Sequence, residues 1–303
     1  MKAMTLRARR RAVSGIAALA GALVFGPCRA TTTATAQGLL PALARRLERQ
    51  TGGRLGVCVL RTGDGRWTHR ADERFPMCSL FKAIAAAGVL ARVHRGELRL
   101  DRRIVFGRSD LVDHSPATAQ RIDGDGMTLA ELCDASMTLS DNTAGNLLLR
   151  ELGGPEGFTA YVRSLGDPVT RLDRWEPELN EAKPGDPRDT TTPAAMAGLF
   201  VQLLFEDRLA PVSRQRWTDW LLANRTGDAR LRAGVPASWR TGDKTGTGKR
   251  GATLDVAGLW PPGRRPMVAA VFIRDSAASL ERRNAAIAEV GRALPRLIGA
   301  EPA

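Results

Sequence analysis

Residues 80–93, LFKAIAAAGVLARV, decide how this chain is built. They keep helical spacing but are apolar on nearly every side, and a helix apolar all round is one buried in a protein interior. Other elements must therefore surround it. Apart from Arg92 near its end, Lys82 is the charge that breaks the run, and a buried lysine needs a partner. Ser79 lies three residues earlier, on the same face of a helix. A hydroxyl there can be polarised by the lysine, and N–H groups at a helix start favour developing negative charge. Taken alone, Ser79 could equally be a helix cap and Lys82 a solvated charge.

Outward from this helix the pattern changes on both sides. Upstream, residues 38–50 read as an amphipathic helix, and LGVCVLR (55–61) with the turn signal Gly63-Asp64-Gly65 before WTHR reads as a β-hairpin. Downstream, 128–152 and 193–225 carry helical periodicity, and 171–193 is a charged, proline-containing stretch read as a long surface loop. The end holds strand-like runs, TLDVAGLW (253–260) and PMVAAVFIR (266–274), then a last helix, SLERRNAAIAEVGRALPRLI. This order predicts an α/β (α+β) fold. The two terminal segments share one sheet, with a helical block inserted between them.

The 303 residues suffice for a sizeable core. Residues 1–36 stand apart: they hold six basic residues and no acid, an apolar run from Ala12 to about Phe25, and the small-x-small triplet Ala34-Thr35-Ala36. That is the pattern of an export signal, with an apolar run too short to span a bilayer. Arg9-Arg10-Arg11 leaves open the twin-arginine or the plain secretory route, and Cys28 lies in a poor lipidation context. Beyond residue 36 a net +7 remains of the chain's +13. These charges are scattered and aromatics make up 5%, which argues against a nucleic-acid partner. Four cysteines without a CxxC pair and three histidines argue against a metal site. After signal removal Cys58, Cys78 and Cys133 remain, an odd number.

Three further short motifs follow Ser79-x-x-Lys82. Ser140-Asp141-Asn142 falls between two helical stretches. Lys244-Thr245-Gly246, followed by Thr247 and Gly248, joins a cation, a hydroxyl and an open backbone near a strand edge. Within the charged loop, RWEPELN (174–180) sets Glu176 and Asn180 four apart, so one helical turn aims a carboxylate and an amide the same way. Such a pair can hold and deprotonate a water. The ordered set SxxK, SDN and KTG is that of class A β-lactamases and penicillin-binding proteins. Over residues 40–295 the chain resembles the class A serine β-lactamases, and RLDRWEPELNEA with GDPRDTTTP resembles the Ω-loop of that family.

The resemblance implies a five-stranded antiparallel sheet flanked by helices, formed by 37–70 and 220–303, and an all-helical domain, 71–219, with the active site between them. It implies catalytic roles for Ser79 as nucleophile, Lys82, Ser140 as proton donor to the leaving nitrogen, and Glu176 as base for deacylation. Backbone N–H groups of Ser79 and Thr247 form the implied oxyanion hole. Asn142, Asn180, Lys244, Thr245, Gly246 and Thr247 are the implied substrate-binding residues. Many members carry an arginine on the strand after KTG; the matching 251–254 has none, and Arg230 in GDARLRAGVP takes its implied place. His114 replaces a usually aromatic gate residue and is expected to form a wall for substrate. Arg174 is expected to pair with Asp189, and the Glu176–Pro177 bond to be cis. Cys133 faces Ala86 rather than a cysteine, and the position facing Cys78 is Gly248, so neither is expected to be bridged.

No cofactor or metal is expected, nor a membrane partner once the signal is removed. The expected protein is a periplasmic or secreted monomer acting on penicillins and cephalosporins as small-molecule substrates. Two rivals share most of the motifs: a penicillin-binding DD-peptidase and a non-catalytic β-lactam sensor. EPELN (176–180) argues against the first and the lack of a second apolar span against the second. Substrate breadth and the choice of Lys82 or Glu176 as acylation base stay open.

Overall fold

The computed structural model describes residues 30–122 and 124–299. Most of the export segment 1–36 lies outside these residues. The chain begins with α1 (Ala30–Thr51), a hairpin of β1 (Arg54–Arg61) and β2 (Arg66–His69), and a short strand β3 (Phe75–Pro76). A 3-10 turn, Cys78–Leu80, leads into α2 (Phe81–His94). Short strands β4 (Arg103–Ile104) and β5 (Met127–Thr128) precede α3 (Leu129–Thr138), α4 (Asn142–Leu152) and α5 (Gly154–Ser164). The loop that follows holds a 3-10 turn, Glu178–Asn180, and ends in β6 (Thr190–Thr191). Helices α6 (Pro193–Phe205), α7 (Pro211–Leu222) and α8 (Leu231–Gly234) precede β7 (Arg240–Thr247), β8 (Thr253–Trp260), β9 (Met267–Arg274) and α9 (Leu280–Leu297).

Five strands form one antiparallel sheet in the order β2-β1-β9-β8-β7. The hairpin from the start of the chain thus pairs with the last strand, which places the expected sheet in the structure. Alternate side chains point to opposite faces of a strand, and here both faces are covered. Val57, Val59, Ala269 and Val271 pack with Leu40 and Leu47 of α1 and Ile287 and Leu294 of α9. Cys58, Ala270 and Phe272 face the other way, into a core shared with α2 and α6. Burial on both faces explains why β9 is a continuous apolar run rather than an alternating one.

Ten consecutive residues of α2, Phe81 to Leu90, are buried. The helix is wrapped by α3, α4, α5 and α7, and the Trp217 indole on α7 donates to the Ala83 carbonyl at 2.8 Å. The sequence reading differs from the structure in three places. Helix α5 and the two-stranded pairs β3–β6 and β4–β5 were not legible. The α1 backbone starts at Ala30, so it runs through the Ala34-Thr35-Ala36 triplet instead of starting at Gly38. And the stretch 171–193 is a loop only partly at the surface: Glu176, Leu179, Asp189 and Thr190–Thr192 are buried. That burial requires the loop's acids to be paired, which the next section describes.

Candidate active site

The 3-10 turn before α2 brings Ser79 to the end of a buried lysine. Cys78, just before it, has φ +47°, and Ser140 has φ +58°. Left-handed backbone at non-glycine residues is strained and concentrates at functional sites; here it turns both serines toward Lys82. Lys82 is fully buried. Its Nζ lies 2.9 Å from Ser79 Oγ, 2.8 Å from the Ser140 carbonyl, 2.5 Å from Asn142 Oδ1 and 3.1 Å from Glu176 Oε1. Burial pushes the Lys82 pKa below that of an ordinary lysine, against the pull of Glu176. Room for the ammonium comes from Gly145 on α4, where a Cβ would sit 2.8 Å from Lys82 Cε.

Asp141 caps α4, accepting from Ala144 N at 2.8 Å, and also accepts from Ala117 N, Thr118 N and the Thr118 hydroxyl. These bonds pin the turn that presents Ser140 and Asn142. His114, on the neighbouring loop, accepts Asn142 N on its carbonyl at 2.9 Å. Its own side chain is exposed, with Nε2 3.2 Å from the Leu139 carbonyl.

On the opposite wall, edge strand β7 supplies Lys244, whose Nζ donates to Ser140 Oγ at 3.0 Å and to the Thr245 carbonyl at 2.9 Å. Ser140 Oγ therefore lies between two lysines. Burial, and next the charge of Lys82, hold the Lys244 pKa well below the usual lysine value. Gly246 allows close approach: a Cβ there would lie 3.2 Å from both Cys78 Cβ and the Met77 carbonyl. The Thr245 hydroxyl bonds that of Thr226, which donates to Asn224 Oδ1 at 2.8 Å, and Asn224 Nδ2 donates to Asp243 at 2.8 Å. Arg230 is 5% exposed. It donates to the Gly246 and Leu254 carbonyls at 2.9 and 2.6 Å, to Asn284 Oδ1 at 2.9 Å, and to Thr247 Oγ1 at 2.7 Å.

The Ω-loop closes the site. Arg174 pairs with Asp189 at 2.6 Å and Glu181 at 2.6 Å, and the Glu176–Pro177 bond is cis, both as expected. Glu176 Oε1 lies 3.4 Å from Ser79 Oγ, and Asn180 Nδ2 donates to Oε2. The Glu176 peptide is gripped by Asn146, which accepts its N–H at 2.9 Å and donates to its carbonyl at 3.0 Å.

The structure thus gathers Ser79, Lys82, Ser140, Asn142, Glu176, Asn180, Lys244, Thr245, Gly246, Thr247 and Arg230 around one cleft, with His114 at its edge. Sequence reasoning missed Asn146, Gly145 and the Thr226-Asn224-Asp243 chain behind Thr245, and gave Asp141, the middle of its motif, no role of its own. Asn146 had a usable signal: it stands four residues after Asn142, on one helix face. Cys58, Cys78 and Cys133 are all buried and unbridged. No group of His, Cys, Asp or Glu able to hold a metal ion occurs among the described residues.

Known proteins fit this geometry. The model of the β-lactamase enzyme family matches residues 40–298. The β-lactamase AST-1 of Nocardia asteroides is 51% identical over 254 residues, covering 84% of this chain and 82% of the relative. The β-lactamase L2 of Stenotrophomonas maltophilia is 49% identical, covering 84% of each. Among solved structures, an ancestral class A β-lactamase (GNCA) is 62% identical with a TM-score of 0.83, covering 84% of this chain and 98% of its own. A match of this extent, with an ordered cleft to carry it, shows that the chain belongs to the β-lactamase enzyme family, as a class A β-lactamase.

Proposed function

We propose that this β-lactamase hydrolyses penicillins and cephalosporins through an acyl-enzyme on Ser79, and so confers β-lactam resistance. The observation that carries the reading is the triangle of Ser79 Oγ, Lys82 Nζ and Glu176 Oε1, with sides of 2.9, 3.4 and 3.1 Å. Ser79 Oγ attacks the lactam carbonyl, and the N–H groups of Ser79 and Thr247 take up the charge on its oxygen. Its proton has two acceptors in reach: Glu176 Oε1, to which Ser79 Oγ donates at 3.4 Å, and Lys82 Nζ at 2.9 Å when that amine is neutral. The carbonyl–nitrogen bond then breaks, and Ser140 delivers a proton to the nitrogen and regains one from Lys82, so that the proton that left Ser79 replaces it, while Lys244 flanks the same Oγ. Asn142 holds the substrate's acylamide chain as well as Lys82.

Glu176 and Asn180 next position a water, and Glu176 takes its proton as the water attacks the ester. The ester C–O bond breaks as Glu176 passes the proton on to Ser79 Oγ, which regenerates both the serine and the carboxylate. Lys244, Thr245, Thr247 and Arg230 meet the substrate carboxylate, which would be costly to bury unpaired. His114 lines the entrance. With an export segment at 1–36, this chemistry operates outside the cytoplasm, in a monomer.

The test is turnover. The purified protein should hydrolyse a chromogenic cephalosporin many times per molecule, and Glu176→Ala should accumulate a covalent adduct on Ser79 visible by intact mass. A single turnover by the unmodified protein would be the behaviour of a DD-peptidase or a sensor, and would overturn the hydrolase reading.

A further inference from the structure

A cavity of about 470 Å³ lies on the far side of the Ω-loop from Ser79. Its walls are the loop between Arg174 and Thr190 on one side, and the start of β1, strand β3 and the end of β9 on the other. Its volume is within the ~300–1,000 Å³ of ordinary small-molecule sites. Six basic side chains line it against three acidic ones, and Pro76, Leu179, Ala182, Pro184 and Pro187 add an apolar floor.

Four of the bases are ion-paired: Arg54 with Glu73, Arg174 with Asp189 and Glu181, Arg188 with Asp186, and Arg274 with Asp275. Among the described residues, Arg74 is held only by neutral acceptors, the Val169 carbonyl at 3.0 Å and Thr190 Oγ1 at 2.9 Å. Lys183 is exposed and forms no ion pair among the described residues. Arg274 stacks its guanidinium over the Phe75 ring at 5.3 Å and pairs through Nη1 with Asp275 and, at 3.9 Å, through Nη2 with Glu73, while its Nε is buried without an acceptor. A buried donor of this kind is stabilised by any acceptor brought to it.

We propose that this cavity is a second binding site, for a small amphiphilic anion: an aryl or alkyl group on the proline and leucine floor, with a phosphate or carboxylate between Arg74, Lys183 and Arg274. The site is wired to one half of the reaction. Leu179, on the cavity wall, is 1% exposed and directly precedes Asn180, which bonds Glu176 on the catalytic side. Arg174, on the same wall, holds the loop neck through Asp189. Ser79, Lys82 and Ser140 belong to α2 and its neighbours and do not line the cavity. With Lys82 as the acylation base, occupancy acts on deacylation more than on acylation. The coupling rests on the deacylating role proposed for Glu176; the binding site does not.

Phenyl phosphate is a suitable probe, with inorganic phosphate and benzyl alcohol as its anionic and neutral halves. Calorimetry on the full protein should show saturable one-to-one binding of phenyl phosphate and at least tenfold weaker binding of either half. Lys183→Glu should weaken it fivefold or more while leaving hydrolysis without the probe within twofold. Ala182→Trp should fill the cavity and abolish binding. Binding should persist on Glu176→Gln protein acylated by a penicillin. In single-turnover kinetics of the unmodified enzyme, the probe should change the decay rate of the adduct more than twofold and its formation rate less.

Absence of saturable binding overturns the site. So does binding indifferent to Lys183→Glu, and that comparison decides even where Ala182→Trp fails to fold. Loss of binding on acylation would put the probe in the catalytic cleft and overturn it too. Binding with an unchanged decay rate overturns the coupling. If Glu176→Gln forms no adduct, the acyl-enzyme reading falls, while the Lys183→Glu comparison still decides the cavity.

Discussion

At the scale of single residues, the site is a problem of buried charge. Lys82 and Lys244 both lie in the core, and Ser140 Oγ sits between them. Burial and the charge of Lys82 disfavour the Lys244 ammonium, so its pKa falls. The cation is present below that lowered pKa and lost as pH rises through it. The KM for a penicillin should therefore climb on the alkaline side sooner than an ordinary lysine, at about 10.4, would allow. Lys244→Arg keeps its charge across that range and should shift the rise in KM to higher pH; an unmoved KM profile would remove Lys244 from carboxylate binding. Arg230 offers a second check. Its bond to Thr247 and its burial place a fixed charge behind β7. A charge-assisted bond contributes ~1.5–3 kcal/mol, so Arg230→Ala should raise the penicillin KM roughly 10- to 100-fold. An unchanged KM would mean that the arginine only braces β7 to β8 through the Gly246 and Leu254 carbonyls.

At the scale of elements, the Ω-loop is held at its neck, at its middle and at Asn180, whose carbonyl accepts Lys249 N at 2.9 Å. Its neck is closed by Arg174 and Asp189, and its middle by Asn146 of α4, which bonds both polar groups of the Glu176 backbone. Asn146→Ala leaves a buried N–H and a buried carbonyl without partners, at about 1–3 kcal/mol for each unsatisfied group. The expected result is a lower melting temperature together with slower deacylation, seen as adduct that persists in a quenched-flow mass measurement. A drop in melting temperature with normal deacylation would show that Asn146 does not position Glu176. The loop was legible as a loop because of its charge and prolines. Its inward face was not: nothing in the spacing of Leu179 or Asp189 says that they are buried, since burial there depends on β3, β6 and α4 closing over them.

At the scale of the molecule, the nucleophile's turn meets the edge strand of the sheet across very little space. A Cβ on Gly248 would stand 2.7 Å from Cys78 Sγ. Gly248→Cys should therefore form a disulfide with Cys78 on mild oxidation, read as loss of the Cys78 thiol in alkylation mapping. It would close a loop of about 170 residues and add ~2–4 kcal/mol of stability, seen as a higher melting temperature under oxidising than under reducing conditions. A Cys78 thiol that still alkylates after oxidation would show that the turn and the strand do not approach as described. The thiol is available because, among the described residues, no other cysteine is bonded to it: Cys58 is on β1 and Cys133 on α3, and all three are unbridged.

The sequence by itself determined the fold class and the cast of the site. A fourteen-residue run apolar on all faces demands surrounding elements, and strand-like runs at both ends of the chain demand a shared sheet. Ser79, Lys82, the Ser140–Asn142 turn, Lys244–Thr247 and Glu176 with Asn180 were readable because each motif is local. Only the tertiary structure decided what joins them. Asn146 grips a peptide 30 residues away, and Thr226 reaches Thr245 from 19 residues away. Arg230 meets Thr247 only because α8 folds back on the sheet. The cavity behind the Ω-loop brings β1, β3 and β9 to residues 174–190. These are contacts between elements distant in the chain, and a residue's spacing in sequence carries no record of them. Helix α5 escaped for a related reason: its Gly154-Pro155 start reads as a breaker, and packing against α4 and α2 overrides that local signal.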